Sequence, residues 1–266
     1  MKNSTIKNCF YGVIFRDVLT ASQNNQLLNS TVTYNRCDGV TFAGYGVVRD
    51  CVITYNGFDC LNPVGGTDYP IPGAGVYTQG TTKGFVLDGC EIAYNNGFNL
   101  DINRASNMVI TNNYIHSPGW RAFPLAEDYT TVNYGNGISA CLTGMRNSTF
   151  TGNTVTNNMA ANRLDQTYAH LYTGGDVNGY FRATGSSVDF SGLTPGGASV
   201  VACALVNYPG ENQNYGNTVT GNTFTANTSD SATTGIGLVV NQNARTGNTI
   251  SGNTDSGSEI GTVYFD

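Results

Sequence analysis

Residues 88–118 read DGCEIAYNNGFNLDINRASNMVITNNYIHSP and hold one full turn of a repeat and the start of the next. Ile92 and Ile115 are its anchors, 23 residues apart. Two positions before each anchor stands Cys90 or Asn113, five before stands Leu87 or Ile110, and three after stands Asn95 or Pro118. The same register recurs at Ile6, Val32, Ile53, Val155, Phe224 and Ile250. The slot two before is then Ser4, Ser30, Cys51, Asn153, Asn222 and Asn248. The slot three after holds Asn35, Asn56, Asn95, Asn158, Asn227 and Asn253, and the slot five before holds Leu27, Val48, Leu87, Ile110, Phe150 and Val219.

Small polar and apolar residues in fixed slots of a recurring unit indicate a solenoid. The unit is too short for a helix pair, and its anchors are mostly β-branched with alternating neighbours, so each turn is read as two or three short strands joined by bends. Turns stacked at roughly 4.8 Å superpose like positions. Asparagines stacked in this way bond to one another and to the bend backbone, satisfying polar groups that burial would otherwise leave unpaired. The Asn three after each anchor is therefore expected to form an internal ladder.

These slots resemble the repeats of the right-handed parallel β-helix of the pectate-lyase-like superfamily, whose members include polysaccharide lyases, mannuronan C5-epimerases and phage tailspikes. The resemblance covers most of the chain. It implies an all-β, right-handed parallel β-helix (a single-stranded β-solenoid) of about eight to ten coils with loop insertions on one face. It is specific for fold and not for activity, because that fold hosts many chemistries. Tyr55-Asn56-Gly57-Phe58-Asp59 is also similar to the Tyr-Gly-Phe-Asp part of the mannuronan C5-epimerase motif. In that family Pro and His follow the Asp; here Cys60 and Leu61 follow. The next turn reads Tyr94-Asn95-Asn96-Gly97-Phe98-Asn99, so the pattern belongs partly to the repeat.

Composition agrees with a single domain over residues 1–266, since a solenoid grows by stacking and needs no division. Charged residues make up only 11%, against 34 Gly and 33 Asn, yet the regular apolar slots argue against disorder. The net charge of −6 comes without a Lys/Arg cluster, which argues against a nucleic-acid partner. No apolar run has signal-peptide or membrane-spanning length. The first turn begins at once without an amphipathic cap, so the chain is expected to be a fragment of a longer protein or to be capped by a partner, a homotrimer included. The seven cysteines occupy repeat slots rather than CxxC pairs and outline no disulfide framework.

After each ladder position comes a second strand, expected at Val13–Phe15, Val40–Phe42, Cys60–Leu61 and Leu100–Ile102. In it Val13, Phe15, Val40, Phe42, Leu100 and Ile102 point inward, while Ile14, Arg16, Thr41, Ala43, Asn62, Asp101 and Asn103 point outward. Anchor spacings run 26, 21, 39, 23, 40, 69 and 26. Against a basal turn of about 20–29 residues, three are too long. The excess is placed at about 62–75, 124–137 and within 159–216, the last long enough to hide one or two further turns. The first two are expected to begin just past the second strand and to wall a groove. Long loops on a rigid scaffold commonly carry function. The run Val200–Val206 is expected to return as a buried strand.

A groove of this kind suits a polysaccharide, because aromatic faces stack on sugar rings. The expected catalytic residues are Asp59, Asp101, Arg104 and His116, with Tyr55, Asn62, Asn103, Trp120, Arg121 and Glu127 in substrate binding. His170, Tyr172 and Asp176 lie in the third insertion. Elimination or epimerisation of a uronate needs an arginine for the sugar carboxylate and a base for the C5 proton. Hydrolysis needs two carboxyls flanking the bond, with Asp59/Asp101 or Asp101/Glu127 as the pairs to test. Lyase or epimerase chemistry is ranked slightly ahead of hydrolysis, acting on an extracellular or virion-surface polysaccharide. The alternative is a non-catalytic adhesin, shaft or glycan-binding stalk. A third reading, an ice- or surface-binding solenoid, rests on Thr218-Val219-Thr220 and Thr223-Phe224-Thr225, and the interrupting loops count against its flat face. No His/Cys spacing suits a metal. No cofactor is expected, and a Ca²⁺ could only use loop carboxylates such as Glu127 and Asp128.

Overall fold

The computed structural model describes residues 1–16, 25–57, 73–78, 82–95, 98–118, 122–123, 132–133, 138–159, 198–206, 214–228, 233–241 and 247–265. Among them every regular element is a strand. In chain order these are β1 (Thr5–Lys7), β2 (Val13–Arg16), β3 (Gln26–Leu28), β4 (Thr31–Thr33), β5 (Val40–Ala43), β6 (Val47–Arg49), β7 (Val52–Thr54), β8 (Val76–Thr78) and β9 (Val86–Asp88). Then come β10 (Glu91–Ala93), β11 (Leu100–Asn103), β12 (Val109–Thr111), β13 (Tyr114–His116), β14 (Ala122–Phe123), β15 (Val132–Asn133), β16 (Ile138–Thr143), β17 (Thr149–Thr151) and β18 (Thr154–Met159). The remainder are β19 (Ala198–Val206), β20 (Thr218–Thr220), β21 (Thr223–Thr228), β22 (Thr233–Asn241), β23 (Thr249–Ser251), β24 (Thr254–Asp255) and β25 (Ile260–Phe265).

Three all-parallel sheets result, so the chain is a parallel β-helix. The first runs β1-β4-β7-β10-β13-β18-β21-β24, the second β2-β5-β8-β11-β16-β19-β22-β25, and the third β23-β20-β17-β12-β9-β6-β3. The pair β14–β15 is antiparallel and stands apart. Anchors Ile6, Val32, Ile53, Ile92, Ile115, Val155 and Phe224 pair in that order along the first sheet. The residues five before them, Leu27 to Val219, fill the inner face of the third sheet and are buried. Phe15, Phe42 and Phe85 stack at 4.9 and 4.2 Å in the core between them.

The bends explain how so polar a chain closes. Non-glycine residues at positive φ recur in fixed slots: Tyr34, Tyr55, Tyr94 and Ser117 after the first sheet, and Asn29, Asp50 and Asn112 after the third. Where the chain enters the second sheet, the slot is Gly12, Gly39 or Gly75. A Cβ on Gly39 would stand 2.6 Å from Asn56 Nδ2 and 2.7 Å from the Gly75 carbonyl, so no side chain fits.

Two ladders fasten these bends. Asn35 donates to Asn56 and Asn56 to Asn95, each at 2.9 Å, and Asn95 donates to Asn99 at 3.1 Å. Asn99 supplies the rung that Pro118 cannot, and bonds the His116 carbonyl and Ser139. A second ladder runs Asn113–Asn153–Asn222–Asn253 in the slot two before the first-sheet residue. The expected ladder three after the anchor therefore ends early. Asn227 is exposed, Asn253 belongs to the second ladder, and the buried residue near Asn158 is Asn157, which bonds the Val201 carbonyl.

Three further expectations are corrected. Ile250 is not a first-sheet anchor; it pairs with Val219 in the third sheet, and Phe224 pairs with Asp255. The cause is a duplicated signature: Asn217-Thr218-Val219 and Asn222-Thr223-Phe224 have the same shape five residues apart. The strand in register with Val40 and Leu100 is Val76–Thr78, so the first insertion opens before the second strand and not after it. Residues 119–137 and 160–197 likewise fall between a first-sheet and a second-sheet strand. No extra turn hides in the longest interval, because β18 pairs directly with β21 and β17 with β20. Val200–Val206 does return as a strand, with Val201 to Leu205 buried. Cys37 is disulfide-bonded, a point that the spacing of the cysteines left open.

Candidate active site

The three long intervals all fall in the chain between a first-sheet and a second-sheet strand, and the outer face of the second sheet gathers titratable groups. Thr41, Tyr77, Asp101 and Cys141 occupy one outward row, paired across β5, β8, β11 and β16. Thr41 was expected in solvent but is only 6% exposed. Its hydroxyl donates to Asp38 Oδ2 at 3.0 Å, and the Ala74 backbone N–H donates to Asp38 Oδ1 at 2.8 Å. Asp38 therefore reaches from its own turn onto the next, toward Asp101.

Burial governs this row. It pushes the Asp38 carboxyl up to about 6, against the two hydrogen bonds that favour its ionised form. Burial, with the Asp38 charge added, pushes Asp101 up to about 7. Tyr77 lies between them and is pushed up to about 12, first by burial and then by Asp101 and Asp38, while the Arg104 guanidinium draws it down. Burial also raises the Cys141 thiol well above its ordinary range. Carboxyls held near neutrality on one face are the raw material of acid–base chemistry. Beside them, the Asn103 N–H bonds Thr78 Oγ1 at 2.7 Å, while Asn103 Oδ1 is buried with no partner among the described residues.

Of the expected catalytic residues, Asp101 and Arg104 come together here with Asn103. His116 does not join them. It lies on the first sheet, 7% exposed although alternation aims it outward, between Tyr114 at 4.1 Å and Tyr94 at 5.4 Å. Tyr55 is stacked between Tyr34 and Tyr94 at 5.2 and 5.1 Å, so neither ring face is open to a sugar. Asp59, Asn62, Trp120, Arg121, Glu127, Asp128, His170, Tyr172 and Asp176 lie outside the described residues. Among the described residues no group of three His, Cys, Asp or Glu could hold a metal.

Asp38 and Tyr77 were missed, and a signal for Tyr77 existed. Gly12-Val13, Gly39-Val40 and Gly75-Val76 mark the second strand three times, and the third instance places Tyr77 between Thr41 and Asp101. Elsewhere, Asp88 is saturated by Arg49 at 3.0 Å, Thr111 at 2.8 Å and Asn112 at 3.1 Å. Burial opposes its ionised form, and those bonds still hold it below the usual carboxylate range. This closed network reads as structural. Threonine rows do form, Thr149–Thr218–Thr249 and Thr151–Thr220–Ser251, on a sheet whose links to the first sheet carry no insertion.

No family model matches the chain, and neither does a curated protein or a solved structure.

Proposed function

We propose that this protein is a carbohydrate-active enzyme that cleaves a polysaccharide on the outer face of its second sheet, with Asp101 as general acid and Asp38 as general base. The observation that carries this reading is the pair of carboxyls held toward neutrality on one face, Asp101 at about 7 and Asp38 at about 6. Near pH 6.5 Asp101 keeps its proton and Asp38 is mostly ionised, the division of labour a glycosidase requires. Thr41 and Asp101 are two rungs apart, about 9.6 Å at the usual strand spacing. Asp38 accepts from the Ala74 N–H of the next turn, so its carboxyl lies in that gap on the Asp101 side. In that chemistry Asp101 protonates the departing glycosidic oxygen. Asp38 takes a proton from water as it attacks the anomeric carbon from the other side. Asn103 Oδ1 would accept a sugar hydroxyl.

This ordering places hydrolysis ahead of elimination. Of the bases expected for elimination, His116 stands on another sheet, His170 lies outside the described residues, and a tyrosine at about 12 is a poor base. A place in the pectate-lyase-like superfamily is supported by the three parallel sheets and the asparagine ladders. An extracellular or virion-surface setting is supported by the Cys37 disulfide, since such bonds persist in oxidising compartments. The second reading, glycan binding without turnover, draws on the buried Asn103 Oδ1, which has no partner among the described residues.

The test is a screen of neutral and uronate-containing polysaccharides for new reducing ends, with the product anomer read by NMR. Hydrolysis with inversion is expected, and Asp101→Asn should lower kcat by at least ~100-fold with its fold intact. An unsaturated product would move the chemistry to elimination. Full activity in both Asp101→Asn and Asp38→Asn would overturn the assignment of the pair.

A further inference from the structure

A second group of reactive side chains lies on the outer face of the first sheet and plays no part in the carboxyl pair. Glu91 and Ala93 on β10 pair with Tyr114 and His116 on β13, so Glu91 and His116 are diagonal neighbours on one face. His116 Nε2 lies 3.3 Å from Glu91 Oε1, and His116 Nδ1 lies 3.1 Å from Ser117 Oγ. A carboxylate only accepts, so Nε2 carries the proton and Nδ1 is left as the acceptor for the Ser117 hydroxyl. Burial favours the neutral imidazole, against the pull of Glu91, which keeps Nδ1 available. Tyr114 stacks on the ring at 4.1 Å and Tyr94 meets it edge-on at 5.4 Å, fixing its orientation.

We propose that Ser117, His116 and Glu91 form a serine acyl-transfer site that takes a small acyl ester, such as an acetylated sugar hydroxyl. The hydrogen-bond order is that of an activated serine: acid, imidazole, hydroxyl. Ser117 is also partly exposed, so its hydroxyl can be reached from solvent. Tyr34, Tyr55 and Tyr94 occupy one bend slot in successive turns, and Ser117 occupies it in the next. In place of a fourth stacked tyrosine, Tyr94 meets the His116 ring edge-on at 5.4 Å, with the Ser117 hydroxyl beside it.

In the reaction, Ser117 Oγ attacks the ester carbonyl carbon and gives its proton to His116 Nδ1. The tetrahedral adduct collapses by breaking the bond to the alcohol oxygen, which leaves with the proton from Nδ1. Water then repeats the sequence on the acyl-serine, giving the carboxylic acid and restoring the hydroxyl. Glu91 holds the tautomer throughout and acts as a positioning residue.

The deciding experiment treats the full chain with a fluorophosphonate probe and maps the label by peptide mass spectrometry. One label on Ser117 is expected. It should be lost in Ser117→Ala, slowed at least ~100-fold in His116→Gln, and unchanged in Asp101→Asn, which separates this site from the carboxyl pair. Hydrolysis of p-nitrophenyl acetate should follow the same order. A folded wild-type chain whose Ser117 takes no label overturns the proposal, whether or not the variants fold. So does labelling of His116→Gln at the wild-type rate.

Discussion

Asp101 owes its chemistry to its place in a strand. Leu100 and Ile102 turn inward on either side of it, so the carboxyl stands on the outer face, where cover and the Asp38 charge keep it protonated to about 7. A bell-shaped rate profile is expected, with limbs near the about 6 of Asp38 and the about 7 of Asp101, measured as kcat/KM against pH. The two groups interact, so the limbs belong to the pair. Asp38→Asn should abolish the limb near 6 and lower the one near 7, because it removes the Asp38 charge, whereas Tyr77→Phe should keep both limbs. Asp101 and Asn103 were legible from alternation alone. Asp38 was not, because its role depends on an N–H from the following turn, and Ala74 is 36 residues away in sequence.

The asparagine ladder couples single residues to whole strands. Asn56 Oδ1 accepts from both the backbone N–H and the side-chain Nδ2 of Asn35, and all three groups are buried. Asn56→Ala leaves two buried donors unpaired, and a loss of about 2–5 kcal/mol is expected in urea unfolding. Asn227→Ala, at an exposed position outside the ladder, should change stability by less than ~0.5 kcal/mol. Gly39→Ala tests the bend: its Cβ would meet the Asn56 amide, the Gly75 carbonyl and Ile53 Cγ2, at 2.6 to 2.8 Å. Overpacking of this kind costs about 1–3 kcal/mol, read from the same transition. The strands themselves were legible wherever the x-Val-x pattern repeated. They were misread where Asn-Thr-x occurred twice within one turn, because two bends of the same shape leave the register of Ile250 undetermined.

For the molecule as a whole, the half-buried carboxyls Asp38 and Asp101 set how stability depends on pH. Both Asp38 and Asp101 have folded values above their ordinary 3.8, so between about 4 and 7 the folded chain binds more protons than the unfolded one. Stability is then fully present at the acid end of that window and declines as pH rises through it, by an amount on the order of a few kcal/mol. Thermal melts across the range should show that decline, and Asp101→Asn should flatten it. A melting temperature that rises steadily from about pH 4 to about pH 8 in the wild-type chain would refute the burial of these groups. The stacked turns, the inner apolar rows and the first ladder followed from local order, because a repeat writes the same short-range chemistry into every turn. Which outward residues share a face with Asp101 did not follow. Asp38, Tyr77 and Asp101 meet across three turns, the first two separated by a long insertion, and only the pairing of β5 with β8 and of β8 with β11 brings them together.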